Sequence, residues 1–361
     1  MRDLSSIHDL IDGLNDDPML AMSQGSKELF HSDLLAWYLA RFPAVRAALL
    51  DAWAPGTATD DETVEVRREW RHLDLVVQAP GRRSLAVENK MFSLPNERQL
   101  DAYAETVATH LPGEPSLVLL SLTDPGWPDG RCLSPHASVP WTYRSYQELM
   151  EILWQTRPEV YGGGDEFAGM VLDRWLAMLA RLYSVVEAVG RPDFDEPLDL
   201  DDDSRQELQR LRLDAPVQKM RYHVVATQIR RRLVQAVPGV DIDAGLSNRA
   251  GFVGGFIHGA GPLLGWQLQQ QQFRLAFVVP DRSRGYGRTA KAREARYQHA
   301  RRYAAYFDFS AVRELVSTAG PERPSAIDAQ PLGFQRFDPN FACLGSGICA
   351  TPTSTSATDR L

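Results

Sequence analysis

The chain has 361 residues, 44% hydrophobic and 24% charged, a composition typical of a folded globular protein of one large or two ordinary domains. No apolar run approaches the roughly 18 residues that span a bilayer, and the N-terminus lacks the apolar core of a signal peptide. The sequence therefore predicts a cytoplasmic protein with no membrane partner. The net charge of −8 excludes a uniformly basic surface, so any binding of nucleic acid requires a local basic patch or the help of a metal ion.

The first half of the chain alternates helical and strand patterns. An amphipathic helix is predicted over 26–41, with Pro43 just beyond its end, and another over 95–110, with Pro95 in its first turn. Strands bounded by turn residues are predicted at 63–70, 73–78, 84–90 and 116–122. A short strand at 141–143 precedes helices at about 145–155 and 165–188. This order predicts an α/β core, a mixed sheet flanked by helices, in a domain over 1–190.

A second region begins after an acidic stretch at 193–203, which we expect to be a linker or an exposed loop. An α+β region is predicted over 204–337, with strands at 252–258, 263–269 and 273–279 and a helix at 287–304. The Ser/Thr/Gly-rich tail over 338–361 is predicted to be disordered. Of the three cysteines, Cys132, Cys343 and Cys349, two lie in this tail, a spacing that supports neither a disulfide framework nor a zinc site.

Charged side chains converge on the predicted hairpin of the strands at 73–78 and 84–90. Glu88 and Lys90 are two residues apart and share one face of their strand. If the turn is centred on Gly81, paired residue numbers sum to 162, as 74 and 88 do, and Asp74 lies opposite Glu88 with Cβ atoms about 5 Å apart. Two acids at that distance repel each other unless a divalent cation lies between them. The alternative is an exposed polar face on which Lys90 neutralises one acid.

These motifs resemble those of a known family. RHLDLVV at 71–77 and LAVENK at 85–90 are similar to two motifs of the PD-(D/E)XK nuclease superfamily, in the branch whose third motif is Glu-Asn-Lys. ELFHSD at 28–33 is similar to the N-terminal helix motif of that branch, and QLDAY at 99–103 to the motif of its next helix. The likeness covers roughly 20–150, and it departs from the superfamily at Leu73, where Pro is common.

The resemblance implies a restriction-endonuclease-like core and a metal site that holds Mg²⁺ or Mn²⁺. Asp74 and Glu88 would be ligands, with the backbone carbonyl of Asn89 as a third ligand. Glu28 would add a further ligand from the first helix, directly or through water. Lys90 would orient the attacking water or help to deprotonate it, and would stabilise negative charge in the transition state.

Further candidates lie on the two helices beside this hairpin. The resemblance implies that Gln99 supports the site from the second helix. Helical spacing puts Glu28, His31 and Ser32 on one face toward the sheet, and His31, Ser32 and Tyr103 are candidate contacts to nucleic acid. The alternatives without a functional role are an ordinary surface or capped histidine for His31, an exposed helical residue for Gln99 and a core aromatic for Tyr103.

A basic stretch at 282–303 is the strongest candidate for a local nucleic-acid surface. It carries eight Lys or Arg and one Glu, interleaved with tyrosines that can stack on bases. Candidate phosphate contacts in it are Arg288, Arg293, Arg296 and Arg301; the alternative is a solvated helix of ordinary arginine content.

Together these features predict a metal-dependent nuclease that acts on DNA rather than RNA. A catalytically silent nuclease-like binding or scaffold module is the first alternative, although the intact set of Asp74, Glu88 and Lys90 argues against it. A metal-dependent hydrolase of another substrate is the second.

Overall fold

The computed structural model describes residues 11–15, 17–26, 28–56, 64–133, 139–163, 165–192, 197–233, 236–237, 239–247, 250–257, 263–269, 272–278, 302 and 341–346. The chain forms two units. The first comprises Met1–Arg191 with Asp201–Met220, and the second comprises Pro192–Leu200 with Arg221–Leu361. The sequence predicted one break between 190 and 204, whereas the chain enters the second unit at Pro192, returns to the first at Asp201 and leaves it again after Met220.

The first unit is built on a mixed six-stranded sheet in the order β1-β2-β3-β4-β6-β5. Its strands are β1 (Glu65–Trp70), β2 (Leu73–Gln78), β3 (Leu85–Lys90), β4 (Ser116–Ser121), β5 (Arg131–Cys132) and β6 (Trp141–Ser145). Strands β1, β2 and β3 pair antiparallel, β3, β4 and β6 pair parallel, and β5 pairs antiparallel with β6. The predicted α/β fold, a restriction-endonuclease-like mixed sheet flanked by helices, is confirmed.

The helices of this unit are α1 (Pro18–Ser26), α2 (Glu28–Arg41), α3 (Pro43–Trp53), α4 (Glu97–His110), α5 (Tyr146–Gln155), α6 (Arg157–Gly162), α7 (Glu166–Val185) and α8 (Asp202–Arg210). Four of them, α4, α5, α7 and α8, begin where a side chain accepts a hydrogen bond from a free backbone amide. Asn96 caps α4 by accepting from the amides of Arg98 and Gln99. The helix predicted from Pro95 therefore starts two residues later. Pro43 lies just beyond the end of α2, as predicted, and it also occupies the first turn of α3.

Helices cover both faces of the sheet. On one face α4 buries Leu100, Ala104 and Val107 against Val76 and Ala86. On the other face α2 packs on β1, β2 and β3, while α5 packs against α7. Since side chains alternate along a strand, Glu88 and Lys90 share the α4 face with Ala86, and the Asn89 side chain points to the opposite face.

The second unit contains a five-stranded antiparallel sheet in the order β11-β10-β9-β8-β7. Helix α9 (Asp214–Leu233), whose residues from Arg221 onward belong to this unit, buries Tyr222 and Ile229 in a core with residues of the sheet. The strands are β7 (Val240–Ser247), β8 (Ala250–Ile257), β9 (Leu263–Gln269), β10 (Gln272–Val278) and β11 (Phe341–Ser346). The helix predicted at 287–304 lies outside the described residues apart from Arg302.

Among the residues that are described, the structure differs from the prediction for the tail and adds detail to the prediction for the acidic stretch. Strand β11 lies within the tail that was predicted to be disordered, because it pairs with β10 over its whole length. The acidic stretch, predicted to be a linker or an exposed loop, is partly buried where it is described, because Leu198 lies in the core of the second unit and Asp201 caps α8. Within the described ranges, no helix is long and apolar enough to cross a bilayer.

Candidate metal-dependent catalytic site

The β2–β3 hairpin brings the two predicted acids together. Leu75 pairs with Val87 and Val77 with Leu85, which is the predicted register, and the turn contains Gly81 at φ 74°. One step beyond the last ladder pair, Asp74 stands opposite Glu88. There Oδ2 of Asp74 accepts a hydrogen bond of 2.7 Å from the backbone amide of Asn89, so that the carboxylate continues the ladder.

Lys90 completes the predicted trio at the end of β3. Its Nζ lies 2.6 Å from Oε1 of Glu88, and only 13% of the lysine side chain and 3% of the glutamate side chain are exposed. The predicted convergence of Asp74, Glu88 and Lys90 is therefore confirmed as geometry. An exposed polar face, the alternative considered from sequence, does not describe a pair buried to this degree.

The electrostatics of the trio show more negative charge than Lys90 can balance. Burial, followed by the charge of Asp74, raises the pKa of Glu88 to about 7, although Lys90 opposes that rise. Burial also raises the pKa of Asp74. Burial by itself would lower the pKa of Lys90, but the charges of Glu88, Asp74 and Glu28 outweigh it and the net shift is upward. A second cation would relieve this imbalance.

The buried oxygens fit one divalent cation held mainly by two carboxylates. Oε2 of Glu88 is buried and accepts no hydrogen bond from a donor among the described residues, so this oxygen is available to a metal ion. Asp74 supplies a second hard oxygen donor, and Mg²⁺ characteristically binds one or two carboxylates and keeps several waters. Among the described residues, no cluster of three or more Asp, Glu, His or Cys side chains could hold the ion. The remaining ligands would therefore be backbone oxygen and water.

Glu28 lies close to this site but is engaged elsewhere. Its charge contributes to the raised pKa values of Asp74 and Lys90, while its Oε1 accepts a hydrogen bond of 3.1 Å from the backbone amide of Phe92. It does not join Asp74 and Glu88 in a direct three-carboxylate cluster within the described residues. This placement favours the water-mediated form of its predicted role.

Asn89 links β3 to the helices behind it. Its side-chain amide donates to the carbonyl oxygen of Glu28 (3.1 Å) and to Oγ of Ser32 (3.0 Å). Its Oδ1 accepts from the hydroxyl of Tyr146 at 2.6 Å. We call Asn89, Ser32 and Tyr146 the asparagine clasp. The sequence did not predict a role for Tyr146, whose local signal is its position at the start of a helix directly after a strand, with Ser145 as the cap.

Gln99 and Tyr103 lie on α4, the helix on the Glu88 side of the sheet. Nε2 of Gln99 donates to the Tyr103 hydroxyl at 2.8 Å. Burial and the charge of Glu88 raise the pKa of Tyr103, which places this phenol within electrostatic reach of the acids. The pair is thus positioned to support the site, and its roles stay predictions.

His31 and Ser32 occupy a different place from the one expected of nucleic-acid contacts. His31 is 1% exposed, its Nδ1 accepts from the indole of Trp175 at 3.1 Å, and burial lowers its pKa to about 3. Ser32 is 3% exposed and belongs to the asparagine clasp. The prediction that either side chain contacts nucleic acid directly is wrong, because both side chains are buried in the α2 layer. Arg288, Arg293, Arg296 and Arg301 lie outside the described residues.

The mixed sheet, with two acids and a lysine on one hairpin, defines a restriction-endonuclease-like α/β domain. In a comparison with protein families, the family model of the PD-(D/E)XK nuclease superfamily matches residues 19–164. The matched segment is similar to that superfamily, and it contains Asp74, Glu88 and Lys90. No curated protein and no solved structure matches the chain. The assignment of the chain to the Glu-Asn-Lys branch of the superfamily remains a prediction.

Proposed function

We propose that the protein is a nuclease that uses Mg²⁺ or Mn²⁺ to hydrolyse phosphodiester bonds, with DNA as its substrate in preference to RNA. One observation carries the proposal: a buried, over-acidic Asp74–Glu88 pair with Lys90 on the same strand end, inside a segment that is similar to a nuclease superfamily. Hard oxygen donors favour these two ions over softer metals.

Each group of the trio has a separate task in this proposal. Asp74 and Glu88 hold the cation, which supplies Lewis acidity by lowering the pKa of water and offsetting charge on the phosphate. Lys90 stays protonated at neutral pH because its pKa is raised. It therefore donates a hydrogen bond to the attacking water or to a phosphate oxygen, where negative charge grows as the P–O bond breaks. Of the two roles considered from sequence, orienting the water suits this charge state better than taking its proton.

The test is a cleavage assay of the full chain on linear duplex, circular duplex and single-stranded DNA and on RNA, each with Mg²⁺, Mn²⁺ or EDTA. We expect metal-dependent cleavage of DNA, and loss of circular DNA would show endonucleolytic attack. Glu88→Gln should abolish cleavage, whereas Glu114→Gln, which changes an exposed glutamate, should cleave like the wild type. Binding of DNA without cleavage under every condition would instead support a catalytically silent binding module.

A further inference from the structure

The two-residue turn that joins β1 to β2 has an unusual backbone for its sequence. Trp70 pairs with Leu73, and the two residues between them, Arg71 and His72, have φ of 52° and 75°. Positive φ at both central positions is the mark of a type I′ hairpin turn, which strongly favours Asn-Gly. A Cβ atom makes this conformation unfavourable, more for Arg than for His. The turn therefore stores strain that Asn-Gly would release.

This strained turn leads directly to the catalytic end of the sheet. Asp74 follows His72 by two residues, a path of roughly 7 Å along a strand. Because β2 runs antiparallel to β3, the start of β2 and the end of β3 lie at the same edge, where Glu88 and Lys90 are found. Arg71 and His72 are both exposed and hence accessible to a ligand that reaches this edge.

The charge of Arg71 differs from that of the neighbouring cations in having no carboxylate partner among the described residues. Lys90 pairs with Glu88 at 2.6 Å, and Arg68 pairs with Asp33 at 2.7 Å. The Arg71 guanidinium lies over the ring of Trp70, 5.6 Å from the ring centroid. The aromatic face holds the guanidinium without neutralising it.

We propose that the Arg71–His72 turn is a phosphate-binding element of the substrate groove, with Arg71 neutralising a backbone phosphate close to the scissile one. This inference rests on the proposed nuclease function. Arginine is suited to phosphate because its planar donors match the oxygens in pairs. Backbone strain of this kind clusters at functional sites, and here it presents two exposed side chains beside the acids of an otherwise acidic chain.

The test replaces the turn with the sequence that its backbone favours. The double variant Arg71→Asn/His72→Gly should melt at a higher temperature than the wild type because the strain is removed. It should nevertheless bind a fluorescein-labelled 30-base-pair DNA duplex, in EDTA to prevent cleavage, about tenfold more weakly. The slope of log K against log salt should fall by about one. The variant Arg71→Gln, which keeps His72, should show most of the same loss of affinity.

Arg83→Asn is the matched control. It removes the same charge from an exposed arginine next to the Pro80–Gly81 turn, at the opposite end of the β2–β3 hairpin, and should leave affinity and salt slope unchanged. Equal binding by the wild type and the Arg71→Asn/His72→Gly variant would overturn the proposal, as would an equal loss in Arg83→Asn. If the wild type neither binds nor cleaves nucleic acid, the proposed function fails; if it cleaves normally and the turn variants bind as it does, only this inference fails.

Discussion

Glu88 holds its carboxylate in a place where both burial and a neighbouring acid favour the neutral form. Its pKa of about 7 in the folded protein lies above the ordinary value of 4.5. The protonated carboxyl therefore stabilises the metal-free fold fully below pH 4.5, and this contribution is lost as the pH rises through 7. A cation between Asp74 and Glu88 would restore the lost stability by binding the charged form.

The variant Glu88→Gln should reveal this loss of stability. Without metal, the variant should gain melting temperature relative to the wild type as the pH is raised from 5 to 8, because an amide keeps the neutral form at every pH. Mg²⁺ at pH 8 should raise the melting temperature of the wild type but not of the variant. Glu114→Gln serves as the control for removal of one acid. If the difference in melting temperature between the wild type and Glu88→Gln does not change with pH, the raised pKa of Glu88 is contradicted.

Lys90 is expected to act through its positive charge. Lys90→Met should lower kcat by on the order of a hundredfold or more while changing KM little, as for other preorganised groups that stabilise transition-state charge. Lys90→Arg should retain part of the rate, since it keeps the charge with altered geometry. Single-turnover cleavage measures both, and Lys219→Met is a control in which another lysine is lost. Undiminished cleavage by Lys90→Met would refute the assigned role.

At the scale of elements, the asparagine clasp holds β3 to the helical layer. Asn89 is 3% exposed and is bonded to Glu28, Ser32 and Tyr146, so a buried side chain on one face of β3 fixes the strand that carries Glu88 and Lys90 on the other. The clasp also holds the start of α2, the helix that carries Glu28. The packing of the helical layer is therefore coupled through one strand to the positions of Glu88 and Lys90.

A double-mutant cycle tests the clasp. Asn89→Ala should lower the free energy of unfolding by about 2–4 kcal/mol because it leaves buried partners unsatisfied, whereas Tyr146→Phe should cost about 1 kcal/mol. The double variant should cost less than the sum, since the second change removes a group already left without its partner. Urea unfolding measures all three. Strict additivity would show that the Asn89–Tyr146 bond does not couple the strand to α5.

Local patterns predicted the hairpin but not its surroundings. The turn at Gly81 fixed the register, and strand alternation then placed Asp74, Glu88 and Lys90 together, because both rules act over a few residues. Helical spacing put His31 on the face toward the sheet, but spacing does not tell whether that face meets substrate or core. Tyr146, which is 57 residues from its partner Asn89, was beyond the reach of any local rule.

At the scale of the whole molecule, the proposed function requires an acidic protein to hold a polyanion. The net charge of −8 makes local cations decisive, and the sequence offers two groups of them: the Arg71–His72 turn and the basic stretch at 282–303. Phosphate contacts position a duplex without reading its sequence. Both groups are therefore expected to contribute to affinity more than to sequence preference.

Charge reversal tests the basic stretch separately from the turn. The triple variant Arg293→Glu/Arg296→Glu/Arg301→Glu should weaken DNA binding and flatten its salt dependence, with little change in melting temperature. Reversal of three exposed arginines of the first unit, Arg83, Arg131 and Arg174, gives the same net charge and is the control. Identical affinities and salt slopes for the wild type and the triple variant would mean that this stretch takes no part in binding.

The order of the strands has a consequence for synthesis on the ribosome. From β1 to β4 each new strand pairs with the one made just before it, so the nascent chain can assemble Asp74, Glu88 and Lys90 as soon as β3 has emerged. The residues that pack behind this trio are translated later, because Tyr146 follows Asn89 by 57 residues and Trp175 follows His31 by 144. A nascent chain that stops short of α7 would carry the acids without the layer that fixes them. Nuclease activity is thus expected to wait until the first unit is almost fully translated.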